Sequence, residues 1–129
     1  MKTNSELLKI AKDLRWRYIS EFEVLSEEFI EEYQDFLWWD AISCQQKLSE
    51  EFMIRFKDKI NWRWISSFQK LSEGFIRNYQ DRLDMAHISW CQNLSEEFII
   101  EFIDKLHWRG LIECQDLSDE FIDKYSALY

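Results

Sequence analysis

His87 and Cys91 stand four residues apart, a spacing that puts an imidazole and a thiol on one face of a helix. With Cys114 or His107 they could gather a metal, but the spacing matches no established zinc pattern, and ordinary helix-face residues are the simpler reading. Acid–base catalysis would draw on paired carboxylates, which abound here without a glycine-rich loop or a cleft to gather them. The three cysteines, Cys44, Cys91 and Cys114, contain no Cys-x-x-Cys, and their odd number points to reduced thiols. Cys91 and Cys114 hold one place in successive repeats, so their Cα atoms should lie beyond the roughly 7 Å reach of a disulfide. These residues point to a protein that is not an enzyme, with no catalytic residue, no metal and no cofactor.

What positions all of them is a repeat. Leu-Ser-Glu-Glu opens at Leu25 and Leu48, returns as Leu-Ser-Glu-Gly at Leu71, again as Leu-Ser-Glu-Glu at Leu94, and as Leu-Ser-Asp-Glu at Leu117. One supersecondary unit of 23 residues is therefore stacked repeatedly. Ser26, Ser49, Ser72, Ser95 and Ser118 can cap a helix, and the acids behind them favour the positive end of its dipole. Leu25 with Ile30, Leu48 with Met53, Leu71 with Ile76 and Leu94 with Ile99 have the spacing of a hydrophobic staple. Positions 5, 6, 9 and 13 are apolar throughout, so helix A is expected over roughly positions 3 to 12.

A second start falls at position 14, where Asn61 and Asp84 are good caps, and Trp16, Trp39, Trp62 and Trp108 follow at position 15. Positions 15, 18, 19 and 22 recur as Trp, Ile, Ser and Gln on one face of a helix B of about two turns. The repeated Ser and Gln are expected to hydrogen-bond between units. Neither helix would persist alone, because isolated helices under about 12 residues are marginal in water. The expected fold is all-α, an α-solenoid of stacked short helical hairpins with about five units and a terminal helix. A single domain is expected over 1–129, with full repeats at 25–47, 48–70, 71–93 and 94–116 and a half repeat at 117–129. Residues 1–24 read as a degenerate capping unit: Leu14, Trp16, Ile19 and Ser20 match, while Lys2, Thr3, Asn4, Ser5 and Glu6 replace the apolar and capping residues. The chain stops after one helix A, at Leu128 and Tyr129, which leaves an end-to-end homodimer open.

The net charge of −9 disfavours direct binding of nucleic acid or anionic lipid and favours solubility or a basic partner. Residues 25–47 hold six acids and one lysine, whereas 48–70 hold three acids and five bases, so the charge is uneven. No run of about 18 apolar residues could span a bilayer, and the first residues lack a signal-peptide core, so a cytoplasmic protein is expected. The unit LSEEFI…Trp-x-x-Ile-Ser-x-x-Gln, clearest in residues 48–70, resembles tandem repeats of uncharacterised proteins from bacteriophages and giant viruses. That resemblance implies a virus-encoded protein and counter-defence functions, and supplies no catalytic residue or ligand.

Because the recurring positions explain packing, binding should sit where units differ. Positions 14, 17 and 20 share a helix-B face and include Arg15, Tyr18, Trp38, Trp64, His87 and Trp90. Exposed, these aromatic residues would form an interface; alternatively the short helices let the rings fold into the core. An acidic edge of Glu27, Glu28, Glu50, Glu51, Glu96 and Glu97 could imitate a phosphate backbone, or could merely serve the helix dipoles. The expected function is binding to a host protein, as an anti-CRISPR-like inhibitor of a basic, nucleic-acid-binding defence complex. The alternative is a generic scaffold holding a helix or peptide through exposed tryptophans.

Overall fold

In the computed structural model residues 1–128 are described, Leu128 by its backbone alone. The terminal Leu128 and Tyr129 side chains, on which the end-to-end dimer expectation rests, lie outside the described residues. The fold is an all-α helical repeat of the solenoid class, with no strand among the described residues. Its internal contacts divide the chain into two compact units, Met1–Gln69 and Lys70–Tyr129, and the boundary falls beside the junction of repeats 48–70 and 71–93. The first unit holds α1 (Asn4–Leu14), α2 (Trp16–Phe22), α3 (Glu27–Glu32), α4 (Trp39–Gln45), α5 (Glu50–Arg55) and α6 (Trp62–Phe68). The second holds α7 (Glu73–Asn78), α8 (Met85–Cys91), α9 (Glu96–Glu101), α10 (Trp108–Cys114), α11 (Asp119–Tyr125) and a 3₁₀ turn at Ser126–Leu128. No described helix is long and apolar enough to cross a membrane.

Each helix A starts where its serine does. The Oγ of Ser26, Ser49, Ser72, Ser95 and Ser118 accepts the N–H of Phe29, Phe52, Phe75, Phe98 and Phe121 at 3.1–3.2 Å. The helices then end sooner than their apolar period suggests, after six residues in α3, α5, α7 and α9. Beyond α3 and α5 the chain runs into tight turns, where the Trp39 indole N–H donates to the Gln34 carbonyl at 2.9 Å and the Trp62 indole to the Lys57 carbonyl at 2.8 Å. Tyr33, Phe56, Tyr79 and Phe102 close the helices, and the turns still deliver Leu37, Ile60, Leu83 and Leu106 to the core.

In each unit the core is made of the same residues repeated. Phe29, Phe52, Phe75 and Phe98 are buried with Ile30, Met53, Ile76 and Ile99, and Ile19, Ile42, Ile65, Ile88 and Leu111 are fully enclosed in the B helices. Position-15 tryptophans lie over the next helix A or the turn that closes it: Trp39 stacks on Phe56 at 5.6 Å, Trp16 on Phe36 at 5.2 Å, and Trp108 on Phe121 at 6.2 Å.

Polar side chains then stitch repeat to repeat, as the sequence suggested. Gln46 accepts the Leu25 N–H at 3.0 Å and donates to the carbonyls of Ser20 and Glu23 at 3.0 and 2.7 Å. Gln69 repeats this on Leu48, Ser43 and Gln46, and Gln115 on Leu94, Ser89 and Gln92. The buried serines donate one turn back, Ser43 to Trp39 at 2.7 Å, and accept the first N–H of the following helix B, Asn61 to Ser43 at 2.9 Å. Chain ends of two short helices are thereby satisfied without water.

The N-terminal unit departs from expectation in two ways. Its cap is intact, because Thr3 accepts the Glu6 N–H at 3.2 Å while the Glu6 carboxylate reaches back to the Thr3 N–H, a full capping box. Leu14, which matches the register by type, ends α1 and is 54% exposed. Arg15 joins α1 to α2 with φ 82° and ψ 154°, a region L residues avoid, and its side chain finds no partner among the described residues. Arg15→Gly should relieve strain of about 1–3 kcal/mol against a chain-entropy cost of about 0.5–1 kcal/mol. Urea unfolding should therefore show a higher midpoint with an unchanged slope.

Candidate functional site

The B helices of the first unit pack side by side, α2 on α4 and α4 on α6. Residues at positions 14, 17 and 20 of these helices are half-buried or exposed. The tryptophans on that face stay at the surface: Trp38 is 52% exposed, Trp64 39% and Trp90 38%. An exposed indole forfeits part of the burial that a core position would have given it.

Trp38, which precedes α4, and Trp64, in α6, converge on one cavity of about 260 Å³. Ala41 and Cys44 of α4 line it with them, and Arg17 and Glu21 of α2 and Asp40 of α4 supply its charge. The Arg17 guanidinium carbon lies 5.0 Å from the centre of the Trp38 ring, a cation–π contact. Asp40 accepts a 2.9 Å hydrogen bond from the Asn61 side-chain amide, while half-buried Glu21 has no hydrogen-bond or ion-pair partner among the described residues. Burial pushes the Cys44 thiol up, and the carboxylates of Glu21 and Asp40 push the same way. Since the thiolate is the nucleophile, maleimide should modify exposed Cys91 and Cys114 about tenfold or more faster than Cys44, a ratio readable by mass spectrometry of the intact chain.

The other expected site residues lie elsewhere. Tyr18 is exposed on α2 with its ring 5.2 Å from Phe22, and Arg15 belongs to the α1–α2 joint. In the second unit Trp90 stands 6.0 Å from the His107 ring and against Gly110, where a β-carbon would come within 3.0 Å of the indole. His87 Nδ1 lies 3.0 Å from Asp84 Oδ2, out of line for a hydrogen bond. Burial would raise the Asp84 carboxyl, but His87 and the backbone N–H groups of α8 outweigh it and hold it below the usual range. The described residues contain no cluster of three metal-ligating side chains, and the three cysteines are free.

The acidic edge is divided. Glu27 clasps the next repeat, accepting the Ser49 N–H at 2.6 Å and its hydroxyl at 2.9 Å; Glu73 does so with Ser95 and Glu96 with Ser118. Glu50 is half-buried at the equivalent position. Glu28, Glu51 and Glu97 are exposed and without a partner among the described residues. Elsewhere along the edge Glu31 pairs with Arg55, Asp35 with Lys59, and Glu101 with Arg77 through two 2.9 Å bonds.

Arg17 and Asp40 are cavity residues that the three-residue spacing does not reach. Both stand at position 16 of their units, which reads Arg17, Asp40, Arg63, Ala86 and Arg109, and that variation is the signal in the sequence that could have found them. Comparison of the chain with protein-family models, with curated proteins and with solved structures finds no match.

Proposed function

We propose that this chain is a non-enzymatic helical-repeat module that binds a partner protein through the Trp38–Trp64 face of its first unit. One observation carries the reading: two half-exposed tryptophans, Trp38 at the start of α4 and Trp64 in α6, line a single cavity with charged walls. Large aromatic rings beside an arginine are the composition of an interface hot spot, and a helical stack supplies the rigid backing such a spot needs. This arrangement supports an aromatic docking surface better than it supports an acidic mimic of nucleic acid. The mimic would need its carboxylates free, and Glu27, Glu73 and Glu96 are held by the serines of the next repeat.

The test is capture. Immobilised protein is exposed to lysate of its native cell, with and without nuclease, and the retained proteins are compared between wild type and the Trp38→Ala/Trp64→Ala variant. A protein retained with or without nuclease, and lost with the variant, supports the reading. Salt sorts the two modes, since an aromatic contact should hold between low and high ionic strength while charge mimicry should fade. Retention that is unchanged by the variant would overturn it.

A further inference from the structure

The charges of the Trp38–Trp64 cavity do not cancel. Glu21 and Asp40 bring two negative charges and Arg17 one positive, so the walls keep one net negative charge. The cavity already holds one cation of its own chain: Arg17 over Trp38 at 5.0 Å. Trp64 is the unused counterpart. Its ring has Phe68 at 5.7 Å as neighbour and no cation over it among the described residues, and Glu21, which lines the same cavity, has no hydrogen-bond or ion-pair partner there either. At about 260 Å³ the cavity has room for a long side chain.

We infer that this cavity receives an arginine side chain of the partner protein, its guanidinium laid on Trp64 and paired with Glu21. The inference rests on the docking reading above and names the chemistry of what docks. Arginine fits better than lysine because a planar, weakly hydrated guanidinium stacks on an indole and offers a fork of donors to a carboxylate, as Arg17 does on the neighbouring ring. The chain's overall charge of −9 would draw a basic partner toward the site before the side chain seats.

The test uses the full chain, labelled with ¹⁵N, and follows the indole N–H resonances of Trp38 and Trp64. N-acetyl-arginine methylamide is titrated against its neutral isostere, N-acetyl-citrulline methylamide. The expected result is a saturable shift at Trp64 that favours the arginine probe by about two- to fivefold, the scale of one exposed cation–π or ion-pair contact. Glu21→Gln should reduce that preference while the backbone spectrum stays unchanged. Equal responses to the two probes, no saturable shift at Trp64, or full preference in Glu21→Gln would each overturn the inference. The docking reading fails separately: if Trp38→Ala/Trp64→Ala still loses the captured protein while arginine goes unrecognised, docking stands and the arginine assignment falls. Undiminished capture by that variant removes docking, and the partner's arginine with it.

Discussion

Trp38→Ala/Trp64→Ala is expected to weaken partner capture by about a hundredfold or more while leaving the protein folded. Central aromatic residues of an interface cost about 2 kcal/mol or more each on truncation, and every 1.4 kcal/mol is about tenfold in affinity. The folding cost should be smaller, on the order of 1–2 kcal/mol, because both rings are already partly in water and lose only part of their burial. Nothing in the backbone depends on the two side chains. The Trp38 N–H donates to Ser20 at 3.0 Å, and the Trp64 N–H to Asn61 at 3.3 Å, bonds that alanine would keep. Removing Trp38 also releases Arg17 from the ring it covers. Unchanged far-ultraviolet circular dichroism with lost capture is the expected pair of observations; capture surviving the substitution would show that the rings are ordinary surface.

The second large effect concerns the stack itself. Gln46 is 5% exposed and satisfies three backbone groups of its own and the preceding repeat, the Leu25 N–H and the carbonyls of Ser20 and Glu23. Gln46→Leu would bury those groups without partners at about 1–3 kcal/mol each, partly offset by local relaxation. A loss of roughly 2–4 kcal/mol should lower the melting temperature by about 7–15 °C in a chain of this size. Gln46→Glu separates the hydrogen bonds from the packing. It keeps shape and acceptor but aims a carboxylate at two carbonyls, so folding should raise the pKa of the new acid above its unfolded value. Its destabilisation is then greatest above the folded pKa and shrinks as the pH falls through it, because the protonated acid donates again. A Gln46→Leu variant without that pH dependence, measured beside it, would assign the effect to the missing donors. Equal stability of wild type and Gln46→Leu would contradict the role given to the glutamine.

Much of this was legible in the residues. The 23-residue period, the serine caps and the apolar positions define the helices, because cap chemistry and burial on one face are local properties that a sequence displays directly. The recurring Ser and Gln could be recognised as packed and polar, and hence as hydrogen-bonded, although their partners lie 18 to 26 residues away. What stayed hidden depends on distant partners or backbone geometry. The A helices end after six residues although the apolar period runs on through the turn that follows. Thr3 looked like a lost cap because the serine was missing, yet threonine with Glu6 forms the same box. His107 caps α10 through Nδ1, accepting the Gly110 N–H at 3.3 Å, a use of histidine that propensity would not suggest. Whether Trp38, Trp64 and Trp90 were core or surface turned on how far one helix B overlaps the next, which no single repeat encodes. The clasp of Glu27 on Ser49 likewise appears only when two units are stacked.

The most direct test of the docking surface is oxidative footprinting of the indoles with and without the captured partner. Trp90 is the internal reference, since it is as exposed as Trp64 but belongs to the other unit. Protection of Trp38 and Trp64 by the partner, with Trp90 oxidised at an unchanged rate, is the result expected of binding at the first-unit cavity. Equal oxidation of Trp38 and Trp64 in the free and bound protein would contradict it.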